Sequence, residues 1–220
     1  MNKKFNLPEG FTVTFHAGFM NTPANSVESV KKAVEMNADV VEIDVTFRDD
    51  GTPVIVHASS AGKSGGVPLD EVLTVIAGHP TCRLNIDMKS VANIAAVDAA
   101  VKAKGLEGRA FYTGIGKGWV DAVKQNSTLP FYLNHSISFF ESKSTRRLTA
   151  LAEKVRSCGA CGLNSNFRRV NGKVTGVFHN YGLPVSVWTC NEEKDMLRML
   201  KTRPDNITTR RPDRLLDLLG

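Results

Sequence analysis

The stretch VVEIDVTFRDDGTPVIVH (40–57) decides how the chain is read. Side chains alternate across a strand, so Glu42 and Asp44 share one face while Val41, Ile43 and Val45 share the other. The Asp50-Gly51 pair predicts a turn, after which PVIVH (53–57) continues extended and ends on His57. A strand with one apolar face and one acidic face has to lie between a core and something that tolerates charge.

The pattern around it repeats outward. FTVTFH (11–16), RLNIDMK (83–89), RAFYTG (109–114), PFYLNH (130–135), GACGLNSN (159–166), PVSVWTC (184–190) and DNITT (205–209) read as further strands. Between them lie amphipathic stretches that read as helices: 25–37, 68–78, 91–105, 118–126, 144–158, 173–182, the EEKDMLRMLK run and the final RPDRLLDLLG. Asn25 and Glu28 stand at capping-box spacing, and Asn191 is placed to cap the helix that follows it. Eight alternating strand–helix units imply a parallel sheet. Without a glycine-rich dinucleotide fingerprint they favour α/β architecture of the closed (β/α)8 TIM-barrel type, as a single domain over 1–220.

In a barrel the helices cover the outside, so the apolar strand faces go outward and the polar ones inward. Thr12, Thr14 and His16 then point in beside Glu42 and Asp44, with Asn85, Asp87 and Lys89 next to them. Carboxylates converging in a partly dry cavity repel one another, and a divalent cation removes the repulsion. Three carboxylates without a cysteine suit a hard ion, Mg2+ or Ca2+. The competing reading gives each acid its own ion pair with Lys89 or an arginine. His16 and His57, at strand ends beside the acids, fit a general acid–base pair. His79 and His179 read as structural, and His135 ends the fifth strand.

Totals narrow the classes. The 220 residues carry a formal charge of +6, with 42% hydrophobic residues. The cations are scattered and no aromatic–basic module marks a nucleic-acid binder, while a mild positive balance suits a small anionic substrate. No apolar run has the length of a membrane span, and the start lacks a signal-peptide core, which gives an expectation of a cytoplasmic protein. Cys158 and Cys161 form a C-x-x-C, but Cys82 and Cys190 are single, so free thiols are expected.

With these residues in place, the chain resembles the glycerophosphodiester phosphodiesterase family, which has a TIM-barrel fold. The resemblance rests on His16-Ala17-Gly18, Pro23-Ala24-Asn25-Ser26, Glu42-Ile43-Asp44, the Asp50-Gly51 turn leading to His57-Ala58, Asp87-Met88-Lys89, Trp188-Thr189 and Thr208 to Pro212, in order along the chain. It implies a metal-dependent phosphodiesterase in which Glu42, Asp44 and Asp87 hold the cation and His16 and His57 move protons. Trp188 is expected as an apolar wall. Where the family places an arginine after the first histidine, this chain has Ala17, so Lys89, Arg168, Arg169 and Arg210 are the candidate phosphate contacts. A lyase-type phospholipase that stops at a cyclic phosphate, and a catalytically weak phosphate-ligand binder, are the alternative readings.

Overall fold

The computed structural model describes residues 5–56 and 65–220. Among the described residues ten strands form one sheet. Parallel pairing runs β10 (Asn206–Thr209) to β1 (Thr12–Phe15), then β2 (Val40–Phe47), β5 (Arg83–Met88) and β6 (Ala110–Thr113). On the other side β10 continues through β9 (Val185–Trp188) and β8 (Gly162–Asn166) to β7 (Tyr132–Asn134). Apart from the short antiparallel strands Pro53–Ile55 and Val67–Pro68, eight strands remain for the ring. Its last seam, between β6 and β7, is thin. It consists of one bridge, Tyr112 to Phe131, flanked by Tyr112 N–H to Pro130 O at 2.9 Å and Asn134 N–H to Ile115 O at 2.8 Å.

The quoted stretch supplies one barrel strand and one arm. β2 runs to Phe47, and the chain turns with Gly51 at φ 83° and Thr52 N–H bonded to Asp50 Oδ1 at 2.9 Å. β3 (Pro53–Ile55) returns antiparallel on the end of β2, and β4 (Val67–Pro68) pairs with β3. The extended run therefore ends at Ile55 among the described residues, and His57 lies outside them.

Helices follow each barrel strand: α1 (Val27–Glu35), α2 (Leu69–Ala77), α3 (Ile94–Ala103), α4 (Val120–Asn126), the pair α5 (Phe139–Lys143) and α6 (Thr145–Ser157), α7 (Gly172–Asn180), α8 (Glu193–Thr202) and α9 (Pro212–Leu219). The outward residues of β2 and β5 pack under this layer. Val41, Ile43, Val45, Leu84, Ile86 and Met88 are buried with Leu69, Val72, Leu73 and Ile76 of α2 and Val97 and Val101 of α3. Burying each such side chain contributes roughly 1.5–3 kcal/mol, so this shell between strands and helices is the main stabilising core.

The barrel interior is polar, and hydrogen bonds satisfy it. Asn206 Oδ1 accepts from Thr12 at 2.9 Å and Thr14 at 2.7 Å, while its Nδ2 donates to Ser186 at 3.0 Å and Thr208 at 3.2 Å. Such a network is tolerable in low dielectric because its members are partnered.

Two capping expectations fail. The N-cap of α1 is Ser26, whose hydroxyl accepts from Ser29 N–H at 3.0 Å; Asn25 stands at φ 52° with its side chain turned into the barrel. Asn191 does not cap α8, which begins after Glu192 without a side-chain cap; its Oδ1 accepts from Arg210 N–H at 2.9 Å instead. In both cases a tertiary partner outcompetes the local one.

Candidate active site

At the C-terminal ends of the strands a cavity of about 440 Å³ opens, lined in part by His16, Glu42, Asp87, Lys89, Trp119 and Trp188. The β2–β5 register sets its acidic wall. Glu42 lies opposite Asn85, and Asp44 opposite Asp87. Oxygens of Glu42, Asp44 and Asp87 all come within 4.8 Å of one another. Glu42 and Asp44 are only 4% and 5% exposed.

Lys89, the residue after β5, reaches back between the two aspartates. Its Nζ lies 2.8 Å from Asp44 Oδ1 and makes a close contact with Asp87 Oδ2. Asp44 is held further by Asn25, which donates from Nδ2 to Oδ2 at 2.9 Å and accepts from the Asp44 backbone N–H at 2.9 Å. Thr113 Oγ1 lies 2.8 Å from Asp87 Oδ1. Glu42 receives the Ala17 N–H at 2.9 Å and has no lysine or arginine partner among the described residues.

The private-ion-pair reading thus holds for the aspartates and fails for Glu42. Burial, then the charges of Asp87 and Asp44, push the Glu42 carboxyl well above its ordinary value. Burial also pushes Asp44 up, but the Lys89 and Asn25 contacts outweigh it and the net direction is down. For Lys89, burial alone favours the neutral amine; Asp87 and Asp44 reverse that and hold it charged. Among the described residues three carboxylates face one ammonium, a site rich in oxygen donors. That donor set fits a hard divalent cation, and Glu42 is the carboxylate of the three without an ion pair to lysine or arginine among the described residues.

His16 follows β1 at the cavity edge. Its Nδ1 lies 2.9 Å from Ala17 O and 3.7 Å from Glu42 Oε2. Burial lowers its pKa from the usual value, the Ala17 carbonyl opposes that shift, and the nearby Arg210 charge adds to it. A carbonyl only accepts, so in the neutral ring Nδ1 carries the proton and Nε2 keeps its lone pair.

The remaining expected residues are distributed unevenly. Trp188 lines the cavity, and its indole N–H is buried without a partner among the described residues. Arg210 is exposed, with Nε 3.4 Å from Ala17 O beside His16. Arg168 and Arg169 are exposed on the turn after β8, apart from the cavity-lining residues. His135 bonds Glu141 at 3.0 Å and His179 bonds Asp205 at 2.8 Å, both outside the cavity wall. The four cysteines are free, and burial pushes Cys82 and Cys161 up to about 11 and Cys190 up to about 12.

Sequence reading missed part of the wall. Asn134 and Asn164 face the cavity as a pair, with Asn164 Nδ2 donating to Asn134 Oδ1 at 3.0 Å and Gly114 N–H donating to the same oxygen at 3.0 Å. Trp119 and Thr113 complete that side. A polar residue at the C-terminal end of a strand was the available signal for Thr113 and Asn134; Trp119 lies in the 3-10 turn Lys117–Trp119 leading into α4, inside the stretch read as helix, and had none.

The model of the glycerophosphoryl diester phosphodiesterase family matches residues 16–69 and 68–214, which takes in every barrel element except β1 and most of α9. The chain belongs to this family. By family it is a phosphoric diester hydrolase. A glycerophosphodiester phosphodiesterase of Caldanaerobacter subterraneus subsp. tengcongensis is 25% identical over 230 residues, covering 90% of this chain and 93% of that protein. Among solved structures, a glycerophosphoryl diester phosphodiesterase from Silicibacter pomeroyi superposes with a TM-score of 0.79 at 21% identity, covering 98% of this chain and 95% of that one. A phosphodiesterase from Oleispira antarctica, solved with the product sn-glycerol-3-phosphate, gives 0.77 at 19% identity, covering 96% of each chain. These structural likenesses carry the TIM-barrel fold.

Proposed function

We propose that this chain hydrolyses glycerophosphodiester-type substrates to an alcohol and glycerol phosphate, dependent on a divalent cation held by Glu42, Asp44 and Asp87. The observation that carries the reading is the cluster of two buried acids and the half-buried Asp87, with Lys89 among them, set beside His16 at the barrel mouth. Mg2+ and Ca2+ both suit an all-oxygen set. The product captured in the Oleispira protein supports glycerol phosphate as the class of product.

Glu42, Asp44 and Asp87 would hold the cation, which would supply positive charge to offset that developing on the phosphate. Lys89 adds a fixed positive charge at the same wall and orients Asp44 and Asp87. His16, neutral and with Nε2 unprotonated, takes the proton from the attacking oxygen. Glu42, 3.7 Å from Nδ1, stabilises the imidazolium that results. His57 is assigned the proton donated to the leaving oxygen, completing the pair. Arg210, next to His16, is the best placed of the candidate arginines to meet phosphate, with Arg168 further out on the rim. Trp188 walls the alcohol side. The free thiols Cys82, Cys158, Cys161 and Cys190 support a reducing, cytoplasmic setting.

The test is turnover of a glycerophosphodiester with and without chelator, read by phosphorus NMR. Glycerol phosphate formed only with added Mg2+ or Ca2+ is the expected result. A cyclic phosphate as end product would replace hydrolysis by the lyase reading, and full turnover in chelator would remove the cation from the reaction.

A further inference from the structure

Away from the cavity, α5 holds two phenyl rings out to solvent. Phe139 is 52% exposed and Phe140 69% exposed; among the described residues the other large apolar side chain so placed is Leu216, at 40%. The rings meet edge to face at 5.7 Å. Cations surround them. Lys143 Nζ stands 5.9 Å and Arg169 Cζ 5.5 Å from the Phe139 centroid, and Arg147 Cζ stands 5.7 Å from that of Phe140. Lys173 joins the group by donating to Lys143 O at 2.9 Å. None of these four side chains makes an ion pair among the described residues. The nearby acid, Glu141, is spent on His135 and on the Ser138 N–H.

The tip is built to stay out. Ser138 and Glu141 form a reciprocal capping box at the start of α5. Asn171 Nδ2 donates to Ser142 O at 3.2 Å, tying the other end to α7. A preorganised tip loses little entropy on binding. α5 follows the C-terminal end of β7, and the turn carrying Arg169 follows that of β8, so the tip lies at the same end of the barrel as the cavity without lining it.

We propose that the Phe139–Phe140 tip, with Lys143, Arg147, Arg169 and Lys173 around it, docks the barrel mouth onto a bilayer containing anionic phospholipid. Exposed aromatics flanked by lysine and arginine match the two attractions such a surface offers: apolar burial at the acyl boundary and charge at the headgroups. A second copy of the chain is the weaker fit, because a twofold contact would set these cations against themselves. A nucleic acid fits less well too, since the two rings meet edge to face rather than side by side as a platform for successive bases.

The experiment is co-sedimentation of the full chain with vesicles of phosphatidylcholine alone and of phosphatidylcholine with one-third phosphatidylglycerol. The expected result is retention on the anionic vesicles only, reversed by salt. Phe139→Ser/Phe140→Ser should weaken retention at least about tenfold, with unchanged melting temperature and unchanged hydrolysis of a soluble diester. Lys143→Glu/Arg147→Glu provides a second variant with a similar loss. Absence of wild-type retention, equal retention of the double phenylalanine variant, loss of a wild-type dimer in that variant by sedimentation velocity, or tighter phenylalanine-dependent capture of a single-stranded oligonucleotide would each overturn the proposal.

Discussion

Replacing Gly114 by alanine tests the packing that supports the acidic wall. Gly114 sits just past β6 at φ 78°, a left-handed conformation that disfavours any side chain. A Cβ there would overlap Met88 O and approach Met88 N and Asp87 Oδ1, each at 2.9 Å. The backbone conformation costs about 1–2 kcal/mol, and forcing a methyl into packed atoms adds about 1–3 kcal/mol. The total of about 2–5 kcal/mol corresponds to a fall in Tm of roughly 5–20 °C for a chain of this size. Two other glycines separate the causes. Gly105, at φ 65° with nothing within 4 Å, isolates the backbone cost, and Gly116 has open space and an ordinary φ of −78°. The three alanine variants should melt in the order Gly116, Gly105, Gly114, from highest to lowest. Calorimetry or near-ultraviolet circular dichroism reads this directly. Gly114→Ala should also weaken Mg2+ or Ca2+ binding, because Asp87 must turn away from the new methyl. If Gly114→Ala melts with Gly105→Ala and binds cation normally, the close approach of β6 to Asp87 is refuted.

Other perturbations follow from the same geometry. Lys89→Met removes the ammonium that pairs with both Asp44 and Asp87; it should cost about 1–3 kcal/mol without cation and recover about 2.7 kcal/mol with divalent ion at a hundred times its Kd, read as Tm with and without chelator. His16→Ala should lower turnover about a hundredfold to ten-thousandfold with Tm unchanged, and His57→Ala should match it; full activity in either variant ends that acid–base assignment. Burial pushes the Asp98 carboxyl up, but Lys102 at 2.7 Å, Ser127 at 2.6 Å and Thr128 N–H at 2.8 Å bring it down to about 2. A depressed carboxylate contributes stability above its unfolded value near pH 3.8 and loses it as pH falls toward 2. The wild-type advantage over Asp98→Asn should therefore be present at pH 5 to 7 and shrink between pH 4 and 2 in urea titrations.

Period-two alternation was enough to place Glu42, Asp44 and Asp87 on inward faces and to predict eight strand–helix units, because side-chain direction in a strand is a local property. Helix ends were less legible. Asn25 looks like a cap in sequence, yet Ser26 caps α1 while Asn25 holds Asp44 from both sides. Its competing partner lies nineteen residues away, so no local rule sees it.

What the sequence by itself determined is therefore the alternation, the acids that share a face, and the family. What the tertiary structure decided is which charges meet. The β2–β5 register sets Asp44 opposite Asp87, Lys89 fills the gap between them, and Glu42 is left buried without a lysine or arginine ion pair among the described residues. The physical reason is reach: side-chain direction is set residue by residue, whereas distances between charges depend on how neighbouring strands are staggered when the barrel closes.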